Sequence, residues 1–126
     1  DKYRDKGIIF LGGIFNKEDL DNIRYYSTCY LHGHSVGGTN PALLEAMAAQ
    51  TFIFAHDNQF NKSVINNNAF YFDSANKLAD LLKDKEIIKN KKTFIKNNLI
   101  LINEVYRWSI VVNQYESYFK RILENK

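Results

Sequence analysis

Short apolar runs, separated by polar and helix-forming segments, recur along most of the chain. Residues 28–32 and 51–55 combine β-branched and aromatic side chains, and residues 69–72 are mostly aromatic, which is typical of strands. Residues 7–13 form a continuous apolar run that a pair of glycines closes, and this pattern predicts a buried strand with a tight exit. The sequence therefore predicts about four strands.

Helix-start signals lie between these runs. Asn16 is followed by acidic residues and predicts an N-cap with a helix to about residue 26, and Asn40 with Pro41 predicts a helix over about 41–49. Further helices are expected at about 59–65, before three asparagines, and at 75–82, capped by Asp73 or Ser74. From residue 85 onward the pattern is helical. The last predicted helix carries one apolar stripe, formed by Leu101, Val105, Trp108, Val112, Tyr115, Phe119 and Ile122.

Strands that alternate with helices over roughly 80 residues indicate βα units, and therefore an α/β fold with a parallel sheet flanked by helices. No linker rich in proline, glycine or serine divides the sequence, and it contains no internal repeat. A length of 126 residues fits one domain, which we predict over residues 1–126.

Charge and composition narrow the functional classes. There are 17 lysines and arginines against 14 acids, and the net charge of +3 is too small to indicate a nucleic-acid partner. The single cysteine, Cys29, excludes an internal disulfide framework, and we interpret it as a small buried hydrophobe in a reducing compartment. No apolar stretch approaches the roughly 18–20 residues needed to span a bilayer, so we predict a cytoplasmic location. The lysines at 83–92 form a solvated face or, if they lie beside Trp108, a peripheral contact with the inner face of the cell membrane.

Candidate chemistry is concentrated in residues 32–41. Ligands of open parallel sheets bind beyond the carboxyl ends of the strands, and this glycine-rich loop follows a predicted strand. A helix beginning at Pro41 would present free amides and form an anion site. The amides concerned are those of Ala42, Leu43 and Leu44. Glu45 lies about one turn inside, where it can reach ribose or sugar hydroxyls. The alternative is a glycine-rich turn before a well-capped helix, because neither the G-x-x-x-x-G-K-[ST] nor the G-x-G-x-x-G pattern is present.

Histidines and an aspartate form a second candidate group. His32 and His34 have the spacing of a metal-binding pair to which His56 and Asp57 could add ligands, but no third or fourth ligand lies at a recognised spacing, so we expect no metal. His34 is instead a candidate donor to an oxyanion, and His32 is interpreted as a hydrogen-bonded histidine at a strand end. Asp57 is a candidate catalytic carboxylate, although turn or helix capping is the more frequent use of an Asp-Asn pair. Cys29 is not expected to act as a nucleophile.

Residues 37–47, GGTNPALLEAM, resemble the nucleotide-sugar motif of GT-B glycosyltransferases of family 4. The similarity is greatest to a bacterial polysaccharide, rhamnosyltransferase-like subgroup that carries H-x-x-G-G-T-N-P-S-L-L-E-A-M. Residues 9–14 resemble the family's strand and base-contacting loop, and residues 51–57 and 69–82 resemble its later elements. Tyr106-Arg107-Trp108 with Tyr115 resembles the closing helix. The resemblance covers nearly the whole chain in order.

The resemblance implies a Rossmann-like, donor-binding part of an enzyme that transfers a sugar from a nucleotide diphosphate to a glycan or lipid-linked acceptor in surface-polysaccharide assembly. The family typically retains stereochemistry and needs no metal cofactor. Glu45 would hold the ribose hydroxyls, and the start of the following helix would hold the diphosphate and donor sugar through fixed donors and a helix dipole. Gly13 and Ile14 would border the base. The full set of implied binding residues is Gly13, Ile14, His34, Gly37, Gly38, Thr39, Asn40, Pro41, Ala42, Leu43 and Glu45.

The chain also departs from the family. The common E-x7-E pattern has its first glutamate where this chain has Gly37, so the donor-sugar contact falls to His34, Thr39 or Asn40. The family's domain usually has six strands, of which we find only four here. The basic R-x4-K element that the family places near the diphosphate is also missing. Because the chain starts at Asp1 and not at Met, we expect a piece of a longer enzyme that lacks its acceptor domain and transfers no sugar by itself. We further expect its first strand to shift beside a neighbour, or a second copy of the chain to protect the exposed edge.

Two other functions stay open on sequence grounds. One is a non-catalytic, Rossmann-like module that senses a phosphorylated small molecule or pairs with another chain. The other is a small metal-dependent hydrolase that uses His32, His34 and Asp57. A further α/β domain upstream in the reading frame favours the enzyme, and bound zinc or manganese favours the hydrolase.

Overall fold

A three-stranded parallel sheet lies at the centre of the structure, a computed structural model that describes residue 3 and residues 6–124. The strands are β1 (Tyr30–His32), β2 (Ile53–His56) and β3 (Phe70–Phe72), paired in the order β1-β2-β3. The predicted α/β fold with a parallel sheet is therefore confirmed, with three strands in place of about four.

Helices follow each strand, and most begin where the sequence predicts. In the described part of the chain the α-helices are α1 (Lys17–Tyr26), α2 (Pro41–Ala48), α3 (Gln59–Ile65), α4 (Ala75–Lys83), α5 (Lys91–Glu104) and α6 (Trp108–Glu124). A 3-10 helix over Lys85–Asn90 joins α4 to α5. The side chains that accept hydrogen bonds from first-turn amides of α1 to α4 are Asn16, Asn40, Asn58 and Ser74. Polar capping residues therefore decide where these helices begin, because they satisfy amides that have no partner inside the helix.

The two faces of the sheet are packed by different residues. On one face, Ile53 and Ala55 of β2 are fully buried against apolar side chains of α2 and α3. The buried helix residues on this face are Leu43, Ala46, Met47, Val64 and Ile65. On the other face, four phenylalanines pack in edge-on, tilted and stacked pairs, with ring centroids 5.2–6.3 Å apart. They are Phe52, Phe54, Phe70 and Phe94.

The amino ends of the strands are covered by α5. Lys91 donates to the carbonyl of Thr28, which precedes β1, at 3.4 Å, and Asn98 donates to that of Asn68, which precedes β3, at 3.2 Å. Phe94 meets Phe52, just before β2. The carboxyl ends of the strands are thereby left for the loops that carry the candidate site.

The predicted strand at residues 7–13 is wrong. This segment forms no strand, and Ile9, Phe10 and Leu11 are exposed. Gly7 and Gly12 have φ angles of +75° and +71°, in the left-handed region, which an extended ladder does not accommodate. The apolar run therefore has no partner strand within the described part of the chain.

The single apolar stripe predicted for one last helix is also wrong. The helical pattern is interrupted at Val105, and α6 begins at Trp108, where the Arg107 carbonyl accepts from the first-turn amides of Ile110 and Val111. Leu101 packs against the core, whereas the stripe residues of α6 are exposed. No helix in the described residues is long and apolar enough to cross a bilayer.

Candidate functional site

Two asparagines hold the carboxyl ends of β1 and β2 together. Asn61 donates through Nδ2 to the carbonyl oxygens of His34 at 3.0 Å and His56 at 2.9 Å, and Asn58 donates to the same His34 carbonyl at 3.0 Å. Asn61 is buried in α3. Sequence reasoning missed this clamp, although Asn61 shares one face with Val64 and Ile65 by i, i+3 and i+4 spacing, where a polar residue needs a specific partner.

The helix start predicted at Asn40 and Pro41 is confirmed, but its amides are not free. Asn40 Oδ1 accepts from the Ala42 amide at 2.9 Å, and the Asn40 carbonyl accepts from the amides of Leu43 and Leu44 at 3.0 and 3.2 Å. The prediction of three unpaired donors is therefore wrong, because the cap satisfies them. An anion can reach the Ala42 amide only if the Asn40 side chain turns away.

Glu45 lies one turn inside α2 with its side chain 46% exposed, and it is not alone. The Arg24 guanidinium of α1 forms an ion pair with it, with Nη2 2.8 Å from Glu45 Oε2, and the arginine side chain is only 10% exposed. Arg24 was not among the residues predicted for the site. From the sequence, Arg24 is only a basic residue in the last turn of a predicted helix. That position does not indicate which residue of another helix it contacts.

A cleft of about 540 Å³ lies beside the start of α2. Thr39, Pro41 and Glu45 line it from the predicted motif, and Tyr106 and Trp108 line it from the junction between α5 and α6. The Tyr106 hydroxyl donates to the Val64 carbonyl at 3.2 Å and so anchors that junction to α3. Two stretches that the resemblance singled out therefore meet at one cleft.

The remaining predicted residues are distributed around this centre. His34, Gly37 and Gly38 are exposed in the loop after β1, and Gly37 has a φ of +131°. Gly13 is exposed and Ile14 half-buried in the segment that leads into α1. The hydrogen bonds, the ion pair and the cleft wall bring together Thr39, Asn40, Pro41, Ala42, Leu43 and Glu45. Within the described residues, none of these links includes Gly13 or Ile14.

His32 is fully buried, and neither of its ring nitrogens has a hydrogen-bond partner within the described residues. Its interpretation as a hydrogen-bonded histidine is therefore wrong. The ring stacks on His34 with centroids 4.8 Å apart. Burial lowers the pKa of His32 below its usual value, and the neighbouring His34 lowers it further. The ring is consequently neutral at neutral pH.

The other candidates have ordinary environments. Asp57 forms an ion pair with Lys62 at 2.5 Å, and its amide donates to the Phe72 carbonyl. Cys29 is half-buried, and burial raises the pKa of its thiol although Lys91 opposes this, which disfavours the nucleophilic thiolate. No group of three metal-ligating side chains occurs in the part of the chain that the structure describes. No protein-family model matches this chain, and no curated protein is significantly similar to it.

Proposed function

We propose that this chain binds a nucleotide diphosphate-sugar at the cleft beside α2 and is the donor-binding part of a glycosyltransferase in surface-polysaccharide assembly. The observation that carries the proposal is the half-exposed Glu45 carboxylate, which lines the same cleft as Thr39 and Pro41. A carboxylate accepts hydrogen bonds from a ribose diol, and the adjacent helix start favours negative charge. The resemblance of residues 37–47 to the family motif supports this interpretation.

In the proposed complex, the diphosphate lies at the amino end of α2. The helix dipole is fixed before the reaction and stabilises the charge that develops on the departing diphosphate, and the hydroxyl of Thr39, which lines the cleft, is a further donor to it. On binding, the Asn40 side chain turns away, and a phosphate oxygen replaces Asn40 Oδ1 as the acceptor of the Ala42 backbone amide. The side-chain Nδ2 of Asn40 then becomes a further donor to the ligand. A second domain would present the glycan or lipid-linked acceptor.

Isothermal titration calorimetry with UDP, GDP and dTDP tests the proposal. We expect at least one of them to bind, and Glu45→Ala to weaken that binding by about tenfold or more, which corresponds to about 1.4 kcal/mol. The matched control is Glu116→Ala on α6, because Glu116 is also half-exposed and paired with a cation, Lys120. Absence of binding by all three nucleotides, or equal effects of the two variants, would contradict the proposal.

A further inference from the structure

A buried arginine reaches the candidate site from the neighbouring helix. Besides its bond to Glu45, the Arg24 guanidinium lies 3.5 Å from Asp21 through Nη1, and Asp21 in turn pairs with Lys17. The guanidinium therefore has a carboxylate on each of its two terminal nitrogens. Such a forked arrangement restricts the orientation of both the arginine and the carboxylates that it contacts.

The backbone of Arg24 is anchored independently of its side chain. Its carbonyl accepts from the Ser27 hydroxyl at 2.7 Å and from the Thr51 hydroxyl at 3.3 Å. Thr51 is buried just before β2, so the end of α1 is tied to the sheet. The guanidinium consequently starts from a fixed point and reaches across to α2.

The contact changes what Glu45 can do. A half-exposed glutamate otherwise occupies several rotamers, and ordering such a side chain has an entropy cost of up to about 2 kcal/mol. The bond to Arg24 orders Oε2 before any ligand arrives. The Glu45 side chain is 46% exposed and lines the cleft, so its carboxylate remains accessible to a hydroxyl.

We propose that Arg24 is a positioning residue, which holds the Glu45 carboxylate in the orientation that binds the cis-diol of a ribose. This inference rests on the proposed function, because it assigns a partner to the carboxylate of the same site. Arg24 does not touch the ligand; it acts through Glu45. Its removal should therefore weaken ligands that have the diol and leave other ligands unaffected.

The experiment compares UDP and GDP with their 2′,3′-dideoxy counterparts, by calorimetry on the 126-residue chain. For the nucleotide that binds, Arg24→Met is expected to reduce the preference for the ribose form by about tenfold, the size expected for one hydrogen bond to a charged group. Affinity for the dideoxy form should not change. Glu45→Gln should reduce the same preference, and Arg24→Met should have no further effect on it in the Glu45→Gln background.

Thr51→Val is the matched structural control, since it removes one anchor of α1 while the shorter bond from the Ser27 hydroxyl, at 2.7 Å, still holds the Arg24 carbonyl and the guanidinium is untouched. We expect it to lower the free energy of unfolding and leave the ribose preference at its wild-type value. If Arg24→Met does not fold, Arg24→Gln replaces it. A folded Arg24 variant with the wild-type preference, or with equal losses for both nucleotide forms, would overturn the proposal. Failure of the wild-type chain to bind UDP, GDP and dTDP would instead overturn the proposed function, whereas binding of dTDP alone, which has no ribose diol, would overturn the role assigned to Arg24.

Discussion

Two regions of the molecule are both rich in large apolar residues but differ in what covers them. In the core around β2, Leu43, Ile53 and Phe54 are fully buried, because β2 has a strand on each edge and packed side chains on both faces. In residues 8–15 and in α6, most comparable side chains are exposed. The difference shows that an apolar pattern specifies burial only where the rest of the chain supplies a second surface.

The largest expected difference between these regions is in the stability that is lost when a leucine is truncated to alanine. Leu43 is 0% exposed and Leu123 of α6 is 70% exposed. Leu43→Ala should lower the free energy of unfolding by about 2–5 kcal/mol, because it leaves a cavity in the core. The identical change at Leu123 should stay within about 0.5 kcal/mol. Urea denaturation measures both values, and equal losses would show that α6 is buried in solution.

The next largest effect is expected from the asparagine clamp. Asn61→Ala leaves the carbonyls of His34 and His56 without its amide, and should lower the free energy of unfolding by about 1–3 kcal/mol. Asn103→Ala is the control, since that exposed side chain only bonds to Leu99 within its own helix. A loss for Asn61 no larger than for Asn103 would mean that the clamp does not hold the strand ends.

Removal of a helix cap should have a smaller effect on the free energy of unfolding, and the effect should be larger for α2 than for α1. Asn40→Ala is expected to lower the free energy of unfolding by about 1 kcal/mol, because α2 carries three buried core residues that depend on its first turn. Asn16→Ala should have a smaller effect, since Arg24 is the only buried residue of α1. Thermal and urea unfolding of both variants tests this order. A larger loss for Asn16 would contradict it.

The last effect is a dependence on pH and not a fixed loss. Because burial lowers the pKa of His32 below 6.5, the unfolded chain takes up a proton first as the pH falls. The contribution of the neutral His32 ring to the free energy of unfolding is therefore fully present above about pH 6.5, and it decreases as the pH falls below that value. His32→Phe should therefore flatten the fall in unfolding free energy between pH 7 and pH 5. Parallel pH profiles for wild type and His32→Phe would exclude this role.

Local signals predicted the elements of the site better than its contacts. Asn40 followed by Pro41 fixes the start of α2 through residues adjacent in sequence, and the three asparagines after Ile65 end α3 as predicted. The ion pair between Arg24 and Glu45 joins two helices, and nothing local to either residue specifies it. The predicted strand at residues 7–13 shows the same limit, because an apolar run does not reveal whether a partner strand exists.

One residue of the cleft offers a direct optical signal. Trp108 is the chain's single tryptophan, and it is 81% exposed in the folded structure at the cleft that Glu45 also lines. Its fluorescence emission should therefore change little when the chain unfolds, since the indole is already in water. A ligand or a domain that covers the cleft should shift that emission to shorter wavelength. The folded chain thus carries an intrinsic reporter of cleft occupancy, and its unfolding is better followed by circular dichroism.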